Sequence, residues 1–140
     1  MYRLMLDTNI LLDALISQRP ESQAARDVLS RCNGEGDMGM ASSLSLKDVY
    51  YVSCKAYGEP WARNALRLLM GLVVIAPVSA EECDSALNSP EPDFEDGIIR
   101  ACAELNDADF LITRDGDAFS TCTIRSVTAT QYLDIVARMR

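Results

Sequence analysis

Apolar positions along this chain recur at two spacings that take turns. Residues 3–6 (RLML) are a short apolar run of strand length, and residues 9–16 place Ile10, Leu11, Ala14 and Leu15 on one side of a helix, with Thr8 or Asn9 as its N-cap. Pro20 and Glu21 open a second helix with Ala24, Ala25, Val28 and Leu29 inward, which Gly34 and Gly36 end. "DMGMAS" reads as a short strand, "SLSLKDVYYVSCKAYG" as a helix closed by Gly58, and "PWARNALRLLMG" as another closed by Gly71. "LVVIAPV" is the clearest strand in the chain, stopped by Pro77, and Ser79 with Glu82 has capping-box spacing for the helix "SAEECDSALNS". After the loop "SPEP", "DFEDGIIRACAELND" is an amphipathic helix and "ADFLITRD" a buried strand ending on a carboxylate. "GDAFS" then reads as a turn, "TIRSVT" as a strand and "ATQYLDIVARMR" as a terminal helix with Tyr132, Ile135, Val136 and Met139 at core spacing. Strand and helix alternate with no hairpin signal, so the expected fold is α/β: one domain over residues 1–140, a central parallel sheet with helices on both faces.

Composition narrows the chemistry. With 49% hydrophobic residues in 140, the chain can bury a full core. It offers no apolar run of membrane-spanning length and no basic-then-apolar leader, so a soluble cytoplasmic protein without a membrane partner is expected. The five cysteines are odd in number, widely spaced and set among apolar neighbours, which reads as buried thiols in a reducing compartment. Histidine is absent. That removes histidine bases and histidine-rich zinc sites, leaving carboxylates, hydroxyls and metal ions as the reactive inventory. A formal net charge of -8 argues against a protein that coats nucleic acid through a basic surface, but not against a nuclease whose metal ions supply positive charge.

In open α/β sheets the active crevice lies beyond the carboxyl ends of the strands. Asp7 follows the first strand and Asp115 follows "FLIT"; Asp93 and Asp96 open a helix at i and i+3, and Asp48 lies within "LKDVYY". Each has a bland alternative. Asp7 and Asp93 are also good N-caps, with Asp96 at the capping-box position, Asp115 and Asp117 are common turn formers, and Asp48 fits a solvated face beside Lys47. If the acids converge, they need compensation, because like charges raise one another's pKa. Mg²⁺ or Mn²⁺ suits a set of hard oxygen donors and points to phosphodiester hydrolysis. Arg19, Lys47, Lys55 and Arg114 are candidate phosphate contacts, or solvated surface charge.

These residues match a known pattern. "LMLDTNILLDAL" resembles the opening motif of PIN domains, "PDFEDGIIRACAELNDADFLITRDGDAF" resembles their third and fourth motifs in order and spacing, and the chain has about the length of a VapC-like toxin. The resemblance implies a Mg²⁺- or Mn²⁺-dependent endoribonuclease that leaves a 5′-phosphate and a 3′-hydroxyl. It implies Asp7, Asp96 and Asp115 as metal ligands, with Asn9 and Thr113 orienting carboxylates or water. Motif alignment favours Asp96 over Asp93 and Asp115 over Asp117, which remain as supporting acids. Asp48 stands where toxin-type members usually carry glutamate and completes the catalytic set, one methylene shorter. The same resemblance implies an RNA substrate, a homodimer and a small antitoxin that inserts basic or apolar segments near the acids. A dehalogenase-like phosphatase would need an aspartate where Asn9 stands, and a receiver domain would need a late lysine that the chain lacks. The alternative that survives is a noncatalytic PIN-like domain binding RNA or protein, which the Asp48 departure and the acidic surface favour.

Overall fold

The computed structural model describes residues 1–33, 36–90 and 93–139. Its elements follow the predicted order: β1 (Arg3–Leu6), α1 (Thr8–Leu15), α2 (Ser22–Arg31), β2 (Met38–Ser42), α3 (Ser43–Tyr57), α4 (Glu59–Leu72), β3 (Val74–Ala76), α5 (Ala80–Leu87), α6 (Phe94–Leu105), β4 (Phe110–Ile112), a 3-10 turn (Gly116–Phe119), β5 (Arg125–Val127) and α7 (Ala129–Arg138). The five strands are all parallel, in the order β3-β2-β1-β4-β5. The chain therefore builds outward from β1 in one direction and, after β3, returns to build outward on its other side.

Both faces of the sheet are covered, and the side chains of the central strands show it. Leu4 and Leu6 of β1 and Phe110 and Ile112 of β4 join the core cluster beneath α1, α2, α3, α4 and α7. Met5 and Leu111, one step out of phase, join the cluster beneath α5 and α6. Gly97 lets those two helices meet closely, because a Cβ there would stand 3.0 Å from the Cβ of Ala86. Among the described residues no helix is long and apolar enough to cross a membrane.

Several local expectations shift. The N-cap of α1 is Asp7, not Thr8 or Asn9. "LVVIAPV" contributes only the three residues of β3, since α4 continues past Gly71 to Leu72 and Val74, on the sheet edge, is 52% exposed. The turn "GDAFS" is a 3-10 helix. The helix stop expected at Gly34 and part of the "SPEP" loop, Glu91 and Pro92, lie outside the described residues. The capping box at Ser79 and Glu82 forms as expected.

Candidate active site

The sheet order reverses between β1 and β4, so the loops leaving these adjacent strands diverge and open a crevice at their carboxyl ends. Asp7 stands there because β1 ends on it. Its N–H still donates to the Ile112 carbonyl at 3.0 Å, continuing the sheet, while its own φ and ψ turn the chain into α1. The side chain is 6% exposed, accepting from the Thr113 hydroxyl at 2.8 Å and from the Thr8 N–H at 2.8 Å. Burial pushes its pKa up, as does the charge of Asp115, against the pull of the Thr113 and Thr8 bonds and of Arg114.

Thr113 joins two acids through one oxygen. While it donates to Asp7, its Oγ1 accepts the Asp115 N–H at 3.0 Å, and Asp115 in turn caps the 3-10 helix by accepting from the Ala118 N–H at 3.3 Å. Asp96 enters from the first turn of α6. Its pKa is pushed up to about 6, first by burial and then by the charges of Asp93, Asp7, Asp115 and Glu95. Asp48 comes from α3, whose start is tied to that of α1 by hydroxyls: Thr8 Oγ1 donates to Ser45 Oγ at 2.8 Å, and Ser45 Oγ lies 3.1 Å from the N-capping Ser42 Oγ.

The crevice, of about 220 Å³, is lined by Asp7, Asp48, Asp96 and Asp115, with Asn9 and Glu95 at hand. Thr113 is buried behind it. Asp93 and Asp117 are not among the lining residues: Asp93 caps α6 through the Glu95 N–H at 2.8 Å instead of forming a box with Asp96, and Asp117 is exposed on the 3-10 turn. Asp48 also stands 3.6 Å from Lys47, so its crevice position and the solvated pairing coexist.

Sequence reasoning did not single out Glu95, Ser42 or Ser45 for the crevice, nor two buried acids elsewhere. Asp13 is held by Arg19 and Arg114. Asp37, just before β2 at the amino end of the strands, opposite the crevice, accepts from the Tyr2 N–H at 3.0 Å, from Arg31 at 3.0 Å and from the Tyr132 hydroxyl. The signal available for Ser42 was its place between an apolar strand and a helix, where a serine caps well.

Among the described residues, none of the side chains lining the crevice is basic, and no three acids or thiols stand close enough to form a ready metal cage. The donor set is nonetheless one of hard carboxylate oxygens, and Asp96 carries the repulsion of its neighbours uncompensated by a cation at the crevice. That fits Mg²⁺ or Mn²⁺, for which one or two protein carboxylates plus water suffice.

A parallel sheet with carboxylates gathered at its switch point defines a class of α/β domain suited to hard-cation chemistry. Within that class the chain belongs to the PIN domain family, whose profile matches residues 3–117. Comparison with curated proteins gives no significant match. Among solved structures, the chain is similar to VapC20 of Mycobacterium tuberculosis, a sarcin-ricin loop cleaving toxin, with 18% identity, a TM-score of 0.72 and coverage of 89% of this chain and 98% of that one. A toxin–antitoxin complex from Klebsiella pneumoniae gives 24% identity, a TM-score of 0.68 and coverage of 90% and 97%. VapBC2 from Rickettsia felis, bound to a DNA fragment from its promoter, gives 16%, 0.66, and 90% and 98%. At these identities the likeness is one of fold.

Proposed function

We propose that the protein is a metal-dependent endoribonuclease that hydrolyses RNA phosphodiester bonds, acting as the toxin of a toxin–antitoxin pair. The observation that carries this is the convergence of Asp7, Asp48, Asp96 and Asp115 on one crevice at the switch point of a PIN domain. Asp7, Asp96 and Asp115 would hold Mg²⁺ or Mn²⁺, with Asp48 completing the set. When bound, such an ion polarises phosphate oxygens and lowers the pKa of a coordinated water.

The chain's own residues do the positioning. Thr113 holds the carboxylate of Asp7 by its hydroxyl and the backbone of Asp115 by its oxygen, so the two acids keep a set relation. Asp96, whose carboxyl is pushed up to about 6 by burial and by the charges of Asp93, Asp7, Asp115 and Glu95, is the acid whose repulsion a bound cation would relieve most. Asn9 at the crevice edge offers an amide that can orient a water or a phosphate oxygen.

Supporting the partner side of this reading, the similar structures include toxin–antitoxin complexes. A basic or apolar antitoxin segment would complement the acidic crevice, and a homodimer accords with the same reading. The test is cleavage of structured RNA by the purified protein in Mn²⁺ or Mg²⁺, with Asp96→Asn in parallel. Cleavage that is lost in the variant and with chelator supports the proposal. Equal activity in both proteins refutes the site, and inertness of both across varied RNAs supports the noncatalytic binding domain instead.

A further inference from the structure

Asp13 lies one helical turn beyond Asn9 on α1, is 1% exposed, and is not among the residues lining the crevice. Its carboxylate gathers two cations from distant parts of the chain. Arg19, in the turn after α1, brings Nη1 to 3.3 Å from Oδ1, and Arg114 brings Nε to 2.9 Å from Oδ2. The second contact is a close ion pair without an aligned hydrogen bond. A buried carboxylate is strongly destabilising unless paired, so Asp13 is committed to these partners.

The arginines are not consumed by the pairing. Their side chains keep 28% and 40% exposure, and two guanidiniums on one carboxylate leave a net positive charge at this spot in a chain of formal charge -8. The Arg114 contact to Asp13 runs through Nε alone, its side chain stays 40% exposed, and a guanidinium fork matches phosphate geometry. Arg114 also stands between Thr113 and Asp115, so the pair flanks the acidic crevice without entering it. The other cations considered for phosphate are engaged differently, Lys47 beside Asp48 at 3.6 Å and Lys55 over the Tyr51 ring at 4.8 Å.

We propose that Asp13 is a positioning residue that fixes Arg114 and Arg19 as a paired phosphate-binding site on the flank of the crevice, taking a backbone phosphate of an RNA strand whose neighbouring linkage lies at the acids. This rests on the endoribonuclease reading above. The acids repel RNA, and the arginine pair supplies attraction beside them.

The test is binding of a fluorescein-labelled mixed-sequence oligoribonucleotide in EDTA, followed by anisotropy across a salt series, for the wild type, Asp13→Asn, Arg114→Gln, Arg114→Lys and the Asp13→Asn/Arg114→Gln double variant. Binding through phosphate does not depend on sequence, and each lost contact lowers the salt slope by about 0.7–1. Arg114→Gln is expected to weaken binding about five- to tenfold. Asp13→Asn removes a negative charge, so general electrostatics predicts tighter binding, whereas positioning predicts weaker binding, a smaller salt slope, and no further loss in the double variant. Tighter or unchanged binding by a folded Asp13→Asn overturns the proposal. If Asp13→Asn does not fold, Arg114→Lys decides: full recovery of wild-type affinity by a lysine, which lacks Nε, overturns it, and recovery of less than half the loss supports it. Wild-type binding with variants that change nothing refutes this inference alone. Absence of wild-type binding in EDTA likewise refutes this inference alone, since the endoribonuclease reading stands or falls on cleavage in Mn²⁺ or Mg²⁺.

Discussion

Replacing Asp96 by asparagine removes a charge that the folded protein holds at a penalty. The Asp96 carboxyl is raised from 3.8 to about 6, chiefly by burial and then by Asp93, Asp7, Asp115 and Glu95. At about 1.4 kcal/mol per pKa unit, a shift of this size sets a ceiling of roughly 3 kcal/mol. Asp96 is partly exposed, and solvent screening reduces the working value to about 1–2 kcal/mol. Because the folded pKa lies above the unfolded one, the penalty is full above about pH 6, shrinks as the pH falls through that value and is gone below about 3.8. Asp96→Asn in EDTA at pH 8 is therefore expected to melt about 3–6 °C above the wild type, with the difference closing by about pH 4. Scanning calorimetry across that range measures it. Mg²⁺ or Mn²⁺ should then raise the wild-type melting temperature, by about 2.7 kcal/mol of linkage at a hundredfold excess over Kd, and raise that of the variant far less. An asparagine variant no more stable than the wild type at pH 8, or a gap unchanged by pH, would refute the reasoning.

Other perturbations separate the site from its scaffold. Thr113→Val keeps the shape but removes both hydroxyl bonds; it should lower cleavage in Mn²⁺ by at least about tenfold while costing only about 1–2 kcal/mol in urea unfolding. Asp37→Ala should destabilise by about 2–3 kcal/mol, because it leaves the buried Tyr132 hydroxyl unpaired, while Arg31, 32% exposed, regains solvent. Burial alone would raise the Asp37 pKa, but the Tyr132, Tyr2 and Arg31 contacts hold it below the ordinary value, so this stability is present above the unfolded pKa and lost as the pH falls through the folded one. The gap between Asp37→Ala and wild type should narrow in acid, as pH-dependent urea curves will show. Gly97→Val should cost about 1–3 kcal/mol by forcing α5 from α6, and Ala86→Gly in the same chain should return part of it; equal stability of the two chains would refute the close-packing account.

What the sequence disclosed depended on how local the cause was. "RLML" followed by Asp7, and "FLIT" followed by Arg114-Asp115, announce strands ending on acids because apolar runs and their punctuation are local. The Ser79–Glu82 box was legible for the same reason. That β1 and β4 are neighbours was not legible, since parallel pairing joins residues more than a hundred positions apart, and Thr113 meets Asp7 only through it. Asp13 and Asp37 look like ordinary polar positions until their partners arrive from elsewhere, Arg114 in one case and Tyr132 in the other. β3 was overread because "LVVIA" joins a helix end to an edge strand, and hydrophobicity alone does not mark the junction.

The central place of β1 bears on how the protein is made. Synthesis delivers β1, β2 and β3 first, leaving one edge of β1 bare until residues 110–112 emerge to fill it. A nascent chain at that stage lacks Thr113 to hold Asp7 and lacks Asp115 altogether. The four-acid crevice thus comes into being only once residues 110–115 have emerged and joined β1, and no shorter nascent fragment contains it.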